Sequence, residues 1–91
     1  MSTINKGCVV KSVAGRDKGS LFFVLDVMDD RVLVVDGHLR KIDHPKIKNI
    51  KHVVFYAENT NERLLGKILE GTLVEDAEVR KAMRLLTEEV L

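Results

Sequence analysis

The fold is decided by a short segment near the start of the chain, Lys6-Gly7-Cys8-Val9-Val10-Lys11-Ser12-Val13-Ala14-Gly15-Arg16-Asp17-Lys18-Gly19. Residues 8–13 form a β-branched run, which is typical of a strand. Gly15 and Gly19 then enclose the cations Arg16 and Lys18. Glycine permits positive φ and lets the backbone approach another molecule closely. The segment therefore predicts a strand followed by a tight, positively charged loop.

Four further β-like runs follow this segment. Residues 21–28 and 32–35 are apolar almost throughout, and each ends in a turn pair, first Asp-Asp and then Asp-Gly. Residues 38–42 predict a more polar fourth strand that forms a hairpin with the third and stops before Pro45. Residues 53–56 are aromatic and β-branched, which suits a fifth strand. The pattern predicts a small five-stranded antiparallel barrel over residues 6–56.

The second and third runs lack the alternation of apolar and polar residues that an antiparallel sheet with one wet face shows. Both of their faces must therefore be covered, one by the barrel interior and the other by another part of the chain. Residues 60–70 and 75–90 have helical periodicity, and their apolar stripes are the natural cover. We expect one domain over residues 1–91, mainly β, with residues 57–91 as a helical appendage packed on the barrel.

The helix starts are predicted from capping patterns. Asn59 is followed three residues later by Glu62, and Thr72 by Glu75, and both pairs resemble capping boxes.

Charge is divided unevenly along the chain. Residues 1–56 contain ten Lys/Arg and six Asp/Glu, whereas residues 57–91 contain five and eight. Within residues 38–52, five cations accompany a single acid, Asp43. The basic part suits an anionic partner, and the acidic tail suits a structural role or a neighbouring protein.

Residues 6–37 resemble a KOW motif, the β-hairpin unit of several ribosomal proteins and transcription elongation factors. The most specific portion is Ala14-Gly15-Arg16-Asp17-Lys18-Gly19. Residues 32–37 and 45–52 resemble the archaeal and eukaryotic large-subunit ribosomal protein family fourteen-e and its bacterial relatives. The resemblance implies an SH3-like barrel that binds RNA, and covers half of the chain. One departure is Ser20, where many KOW sequences have Lys or Arg, so no phosphate contact is expected there.

The chemistry of the loop at residues 15–19 also suits an anionic ligand, independently of the resemblance. Backbone amides with a guanidinium and an ammonium group suit phosphate, as a contact that positions RNA without reading its sequence. The alternative is an ordinary solvated hairpin. A lysine run such as residues 46–51 is likewise either a contact surface, with Ile47 and Ile50 anchoring it and the lysines pointing outward, or a solvated face.

We expect the partner to be RNA, in particular ribosomal RNA or the large ribosomal subunit. The candidate contacts are Lys11, Arg16, Lys18, Arg40, Lys41, Lys46, Lys48, Asn49, Lys51 and His52, with Gly15 and Gly19 shaping the loop. A protein-binding KOW module acting in transcription or translation is the alternative. A protein neighbour on the C-terminal helices is also compatible with the pattern.

Other chemistry has little support in the sequence. His38, His44, His52 and Cys8 lack the compact ligand spacing of structural zinc sites. No pairing for nucleophilic catalysis is evident, so we expect no catalysis, metal or cofactor. The four aromatic residues are expected in the core, with stacking on bases as the alternative. A single cysteine, no apolar run long enough for a bilayer and no secretory leader predict a cytoplasmic protein.

Overall fold

A computed structural model describes residues 4–89, with side chains to residue 88. The elements in chain order are β1 (Val9–Ser12), β2 (Leu21–Met28), β3 (Arg31–Val35), β4 (Lys46–Asn49), a 3-10 turn (Ile50–His52), β5 (Val53–Ala57), α1 (Glu62–Glu70) and α2 (Asp76–Glu89). The protein is thus mainly β with a helical part, as predicted.

The five strands form one antiparallel sheet in the order β4-β3-β2-β1-β5. The long strand β2 joins its two halves. Its first residues pair with β1, where Phe22 lies opposite Val10, and its remaining length pairs with β3. An irregularity between Val24 and Asp26 shifts the register at this point. Such a bulge bends a strand and increases its twist, which lets the sheet curl.

Alternate side chains of the sheet supply two separate apolar clusters. The cluster on one face comprises Ile4, Cys8, Val10, Phe22, Val24, Val32, Val34 and Val53, with Val27 and Ile50 packed against it. This cluster consists almost entirely of residues from the sheet, and it is the interior of the curled sheet.

The cluster on the other face joins the sheet to the helices. Its buried members are Val9, Phe23 and Val35 from the strands and Leu64, Ile68, Val74, Val79 and Ala82 from the C-terminal part. The prediction that strands apolar on both faces need a helical cover is confirmed. Neither α1 nor α2 has the length and apolarity needed to cross a lipid bilayer, within the part of the chain described.

The fourth predicted strand was placed wrongly. Residues 38–42 form an irregular loop, and β4 begins after Pro45, pairing Lys46 with Val34. The reason is local hydrogen bonding at Asp36. Its carboxylate accepts from the backbone N–H of His38 and of Arg40, which folds the chain back on itself. A short polar side chain that binds nearby backbone N–H groups competes with strand pairing in this way.

Both predicted capping pairs were wrong, although the helices begin within two residues of the predicted starts at 60 and 75. Asn61, not Asn59, caps α1 by accepting from the N–H of Leu64 at 3.0 Å. Asn59 instead accepts from the N–H of Asn61 in the preceding turn. The helix α2 begins at Asp76, and Glu78 reaches back to the N–H of Glu75 at 3.0 Å. That contact is the reciprocal half of a capping box.

Candidate nucleic-acid interface

The β1–β2 loop (residues 13–20) contains the predicted phosphate-binding turn. The hydrogen bonds from the N–H of Gly19 to the carbonyl of Ser12 and from the N–H of Ser12 to the carbonyl of Ser20 close its base. Gly15 has φ +87° and Gly19 has φ +94°, a region that residues with a side chain rarely adopt. Glycines at these positions therefore give the loop its shape, and Arg16 and Lys18 are both exposed on it.

Asp17, at the centre of this loop, is turned inward, and its carboxylate accepts hydrogen bonds from three side chains. Its Oδ1 accepts from Lys48 Nζ at 2.8 Å and from the Ser12 hydroxyl at 2.7 Å. Its Oδ2 accepts from Lys46 Nζ at 2.7 Å. The single carboxylate of the loop is thus occupied by two lysines of β4, and it does not oppose Arg16 and Lys18 on the outer face.

The pKa of Asp17 reflects this arrangement. Burial by itself would raise the pKa, but the hydrogen bonds from Lys46, Lys48 and Ser12 outweigh it and hold the pKa well below its ordinary value. The carboxylate is therefore charged throughout the physiological pH range.

The two lysines of β4 are not equivalent. The side chain of Lys48 is only 5% exposed, and its ammonium also donates to the carbonyl of Ala14 at 3.2 Å. The side chain of Lys46 is 26% exposed. The expectation that the isoleucines anchor this segment while the lysines point outward was wrong at Ile47, which is 55% exposed, and at Lys48. Only Ile50 packs on the core as expected.

The 3-10 turn brings the end of the basic segment to the same loop. The N–H of Val13 donates to the carbonyl of His52 at 2.9 Å. The side chains of Lys51 and His52 are exposed. Asn49 caps the turn, because its side-chain oxygen accepts from the N–H of Lys51 at 2.9 Å. That oxygen is therefore used in the fold.

Arg40 and Lys41 lie in the β3–β4 loop (residues 36–45), and both are exposed. Two contacts fasten this loop to α2. The Asp76 carboxylate accepts from the N–H of Ile42 at 2.8 Å, and Arg80 Nη1 donates to the carbonyl of Gly37 at 2.8 Å. The C-terminal helix thus sets the position of the loop that carries these two cations, a role that the sequence analysis did not assign to it.

The strand pairing places the two loops on one side of the molecule. Phe23, near the start of β2, pairs with Val35 at the end of β3. The β1–β2 loop and the β3–β4 loop therefore leave the sheet at the same end, and β4 begins there with Lys46. Lys11, exposed on β1, pairs with Leu21 next to the β1–β2 loop. The cations chosen from sequence are separated by up to 40 positions, but the topology brings most of them to one end of the sheet.

Sequence reasoning missed two features of the surface. Phe55 and Tyr56 were expected in the core, but they are 37% and 38% exposed on the edge strand β5. Arg80, Lys81 and Arg84 form a second group of cations on α2, beside His38. Their spacing along one helical face was a usable signal, which the net negative charge of residues 57–91 concealed.

The remaining polar chemistry is sparse. Cys8 is buried, and burial raises the pKa of its thiol, aided by the Glu58 charge and opposed by hydrogen bonding from the backbone near Asn5. Over residues 4–88, no three His, Cys, Asp or Glu side chains come together to hold a metal ion. In comparisons with known proteins, no family model and no curated protein matches the chain.

Proposed function

We propose that the sheet is an SH3-like barrel of the KOW type. Three features support this assignment. Four strands follow one another as an antiparallel meander, a 3-10 turn then leads into β5, and β5 pairs with β1 rather than with β4. The salt bridges from Asp17 to Lys46 and Lys48 tie the β1–β2 loop across to β4, the opposite edge of the sheet. The resemblance of residues 6–37 to the KOW motif agrees with this arrangement.

We further propose that the protein binds RNA through the phosphate backbone, as a ribosomal or ribosome-associated protein of the cytosol. The observation that carries this proposal is the inward orientation of Asp17. Because Lys46 and Lys48 neutralise it, the outer face of the β1–β2 loop offers the cations Arg16 and Lys18 with no competing carboxylate from the loop itself. The ribosomal part of the proposal depends on the resemblance to the fourteen-e family.

In this mechanism the cations have two roles. Arg16, Lys18, Lys51 and His52, together with Arg40 and Lys41 on the neighbouring loop, lie exposed and contact phosphate groups. Lys48 instead holds the loop in its conformation, and Lys46 does so while remaining partly accessible. A rigid cationic surface without a base-reading element suits structured RNA, which proteins recognise mostly by shape and backbone.

Salt-dependent binding to ribosomal RNA tests the proposal. Labelled fragments of large-subunit ribosomal RNA are titrated with the protein between 50 and 200 mM KCl. The logarithm of the binding constant should fall by about 0.7–0.9 per phosphate contact for each log unit of salt. The double variant Arg16→Ala/Lys18→Ala should bind more weakly, with a slope that is shallower by about 1.4–1.8.

A matched control removes the same charge elsewhere. Lys6 precedes β1 and Arg31 begins β3, so both lie towards the end of the sheet opposite the β1–β2 loop. The variant Lys6→Ala/Arg31→Ala should keep the wild-type slope. If the two double variants lost the same slope, non-specific attraction by net charge would replace the proposed loop contact. Co-sedimentation with large subunits that RNase treatment abolishes would support the ribosomal part.

A protein-binding module acting in transcription or translation is the second candidate, and one observation favours it. Leu69 and Leu73 are 55% and 80% exposed, and Leu73 lines a groove with Leu25 and Ile42 between the α1–α2 connection and the sheet. Partner binding through this groove would be insensitive to salt and would be lost in Leu73→Ser. The RNA proposal predicts that this variant keeps its salt slope.

A further inference from the structure

A second group of cations lies where the β3–β4 loop meets the C-terminal helix. We call this site the α2 groove. Its lining residues are His38 from the loop and Ala77, Arg80, Lys81 and Arg84 from α2. Four of the five can carry positive charge and none is acidic. The groove therefore interrupts the otherwise acidic character of residues 57–91 with a concentrated positive surface.

Two of these cations form no ion pair within residues 4–88. Among the described residues, neither Lys81 nor Arg84 takes part in a salt bridge, and both are exposed. The acids at the start of α2 are engaged elsewhere, since Asp76 accepts from the N–H of Ile42 and Glu78 pairs with Lys67 at 2.8 Å. Like charges four residues apart on one helical face destabilise a helix slightly. Arg80 and Arg84 are spaced in this way, and no salt bridge within residues 4–88 offsets the charge of Arg84.

The groove is also held in a fixed shape. Arg80 Nη1 donates to the carbonyl of Gly37 at 2.8 Å, which orients the guanidinium. Its other N–H groups donate to no atom of the described residues, so they can bind a ligand. Gly37 has φ +81°, and a Cβ there would lie 2.8 Å from Arg80 Cγ and from the carbonyl oxygen of Asp76. The loop and the helix therefore fit closely only because residue 37 is glycine. His38 follows directly, with its N–H bound to the Asp36 carboxylate.

We propose that the α2 groove is a second binding site for phosphate groups, occupied by the same RNA that the β1–β2 loop binds; the inference rests on the proposed function. A planar guanidinium fixed in orientation, with a second arginine and a lysine beside it, suits the oxygen atoms of a phosphodiester. The β3–β4 loop leaves the sheet at the same end as the β1–β2 loop, so one RNA can lie across both.

The size of the protein sets the length of RNA required. Its longest dimension is 31 Å. Because A-form RNA rises less per base pair than the roughly 3.4 Å of B-form DNA, a duplex of roughly ten to twelve base pairs spans the whole molecule. A two-site contact therefore predicts that affinity and salt slope rise with duplex length up to about this size, and then level off.

The test compares double variants of the full chain on the same ribosomal RNA fragments, over the same range of KCl. Lys81→Ala/Arg84→Ala should bind more weakly than wild type, with a slope shallower by about 1–2. The charge-preserving variant Lys81→Arg/Arg84→Lys should keep the wild-type slope, and so should the control Lys6→Ala/Arg31→Ala. Neither side chain makes a hydrogen bond within the described residues, so circular dichroism should show an unchanged fold.

The outcomes separate this inference from the proposed function. If the loop variant Arg16→Ala/Lys18→Ala loses slope while Lys81→Ala/Arg84→Ala behaves like the control, RNA binding stands and the α2 groove is not a phosphate site. The same result is expected if the groove binds an acidic protein. If wild type itself shows no salt-dependent binding, the proposed function fails and the inference fails with it. Simultaneous contact further requires that the two slope losses add in the quadruple variant.

Discussion

Asp17 and Lys48 form a salt bridge, 2.8 Å from Oδ1 to Nζ, that joins the β1–β2 loop to strand β4 across 31 positions of sequence. Their side chains are 17% and 5% exposed, so water screens the pair only weakly. Removing one member of a buried pair leaves the other charge without a partner, which costs more than the pair itself contributes.

Asp17→Asn should therefore lower the free energy of unfolding by roughly 2–4 kcal/mol at pH 7. The substitution keeps the shape of the side chain but removes the charge that faces Lys46 and Lys48. Urea denaturation measures the change. Asp43→Asn is the control, since Asp43 is exposed and takes part in no salt bridge among the described residues. Equal stability of the two variants would contradict the bracing role of Asp17.

The same carboxylate should make stability depend on pH. The pKa of Asp17 is lower in the folded state than in the unfolded chain, where it is about 3.9. Its contribution is therefore complete above about pH 5 and is lost as the pH falls through the unfolded value toward the folded one. The difference in unfolding free energy between wild type and Asp17→Asn should shrink steadily from pH 5 to pH 2. A difference that is constant over this range would assign the effect to packing.

Substitution of Lys48 should affect mainly stability, whereas substitution of the exposed cations Arg16 and Lys18 should affect mainly RNA binding. Lys48→Ala should destabilise the protein, because Asp17 loses one of its two ammonium partners in a buried site. Arg16→Ala/Lys18→Ala should leave the unfolding free energy within about 0.5 kcal/mol, as for most surface substitutions, and should weaken RNA binding. Thermal unfolding and RNA titration on both variants check the division. Comparable loss of stability in both would show that Arg16 or Lys18 also supports the fold.

Gly37→Ala should be more harmful than Gly19→Ala. Both residues have positive φ, which costs an L-residue about 1–2 kcal/mol. At Gly19 a Cβ meets no heavy atom within 4 Å, whereas at Gly37 it would collide with the backbone and Arg80 side chain of α2. Overpacking typically adds about 1–3 kcal/mol. Chemical denaturation of the two variants gives the comparison, and equal losses would mean that α2 yields to the extra methyl group.

Cys8 should react slowly with thiol reagents in the folded protein. Its side chain is buried, and its pKa is raised, so little reactive thiolate is present near neutral pH. Alkylation should become fast in denaturant, and the ratio of the two rates reports opening of the apolar cluster that contains Cys8. Rapid alkylation of the native state would indicate that the first cluster opens locally.

The apolar pattern predicted the parts of the fold that depend on burial. The runs at residues 21–28 and 32–35 lacked alternation, and this alone predicted a second covering layer, which Leu64, Ile68 and Val79 provide. Five strands and two helices were also anticipated. These features follow from apolar area, which is read directly from sequence and is insensitive to small errors in element boundaries.

Ile47, Phe55 and Tyr56 were wrongly expected to be buried. The other errors concern polar residues whose partners lie either far away in the sequence or in the adjacent backbone. Lys48 resembles a surface lysine because its partner Asp17 lies 31 positions away, and no local pattern reveals that a strand will bring them together. Residues 38–42 resemble a strand, but the side chain of Asp36 captures two backbone N–H groups and diverts the chain. The sequence therefore predicted which cations belong to the candidate site. The structure was needed to separate the cations that are exposed for contact from those that hold the loop in its conformation.

The two apolar faces of the sheet have a consequence for how strand β1 finds its position. Val9 belongs to one cluster and Val10 to the other, so a slip of β1 by one residue would exchange two valines and lose little apolar burial. Such a slip would instead disturb the two polar residues that follow the valines, Lys11 and Ser12. It would turn Lys11 into the interior and expel Ser12, which is 1% exposed and bound to Asp17. The alignment of β1 therefore depends on its hydrophilic residues, and the loop proposed to bind RNA also fixes the register of the sheet.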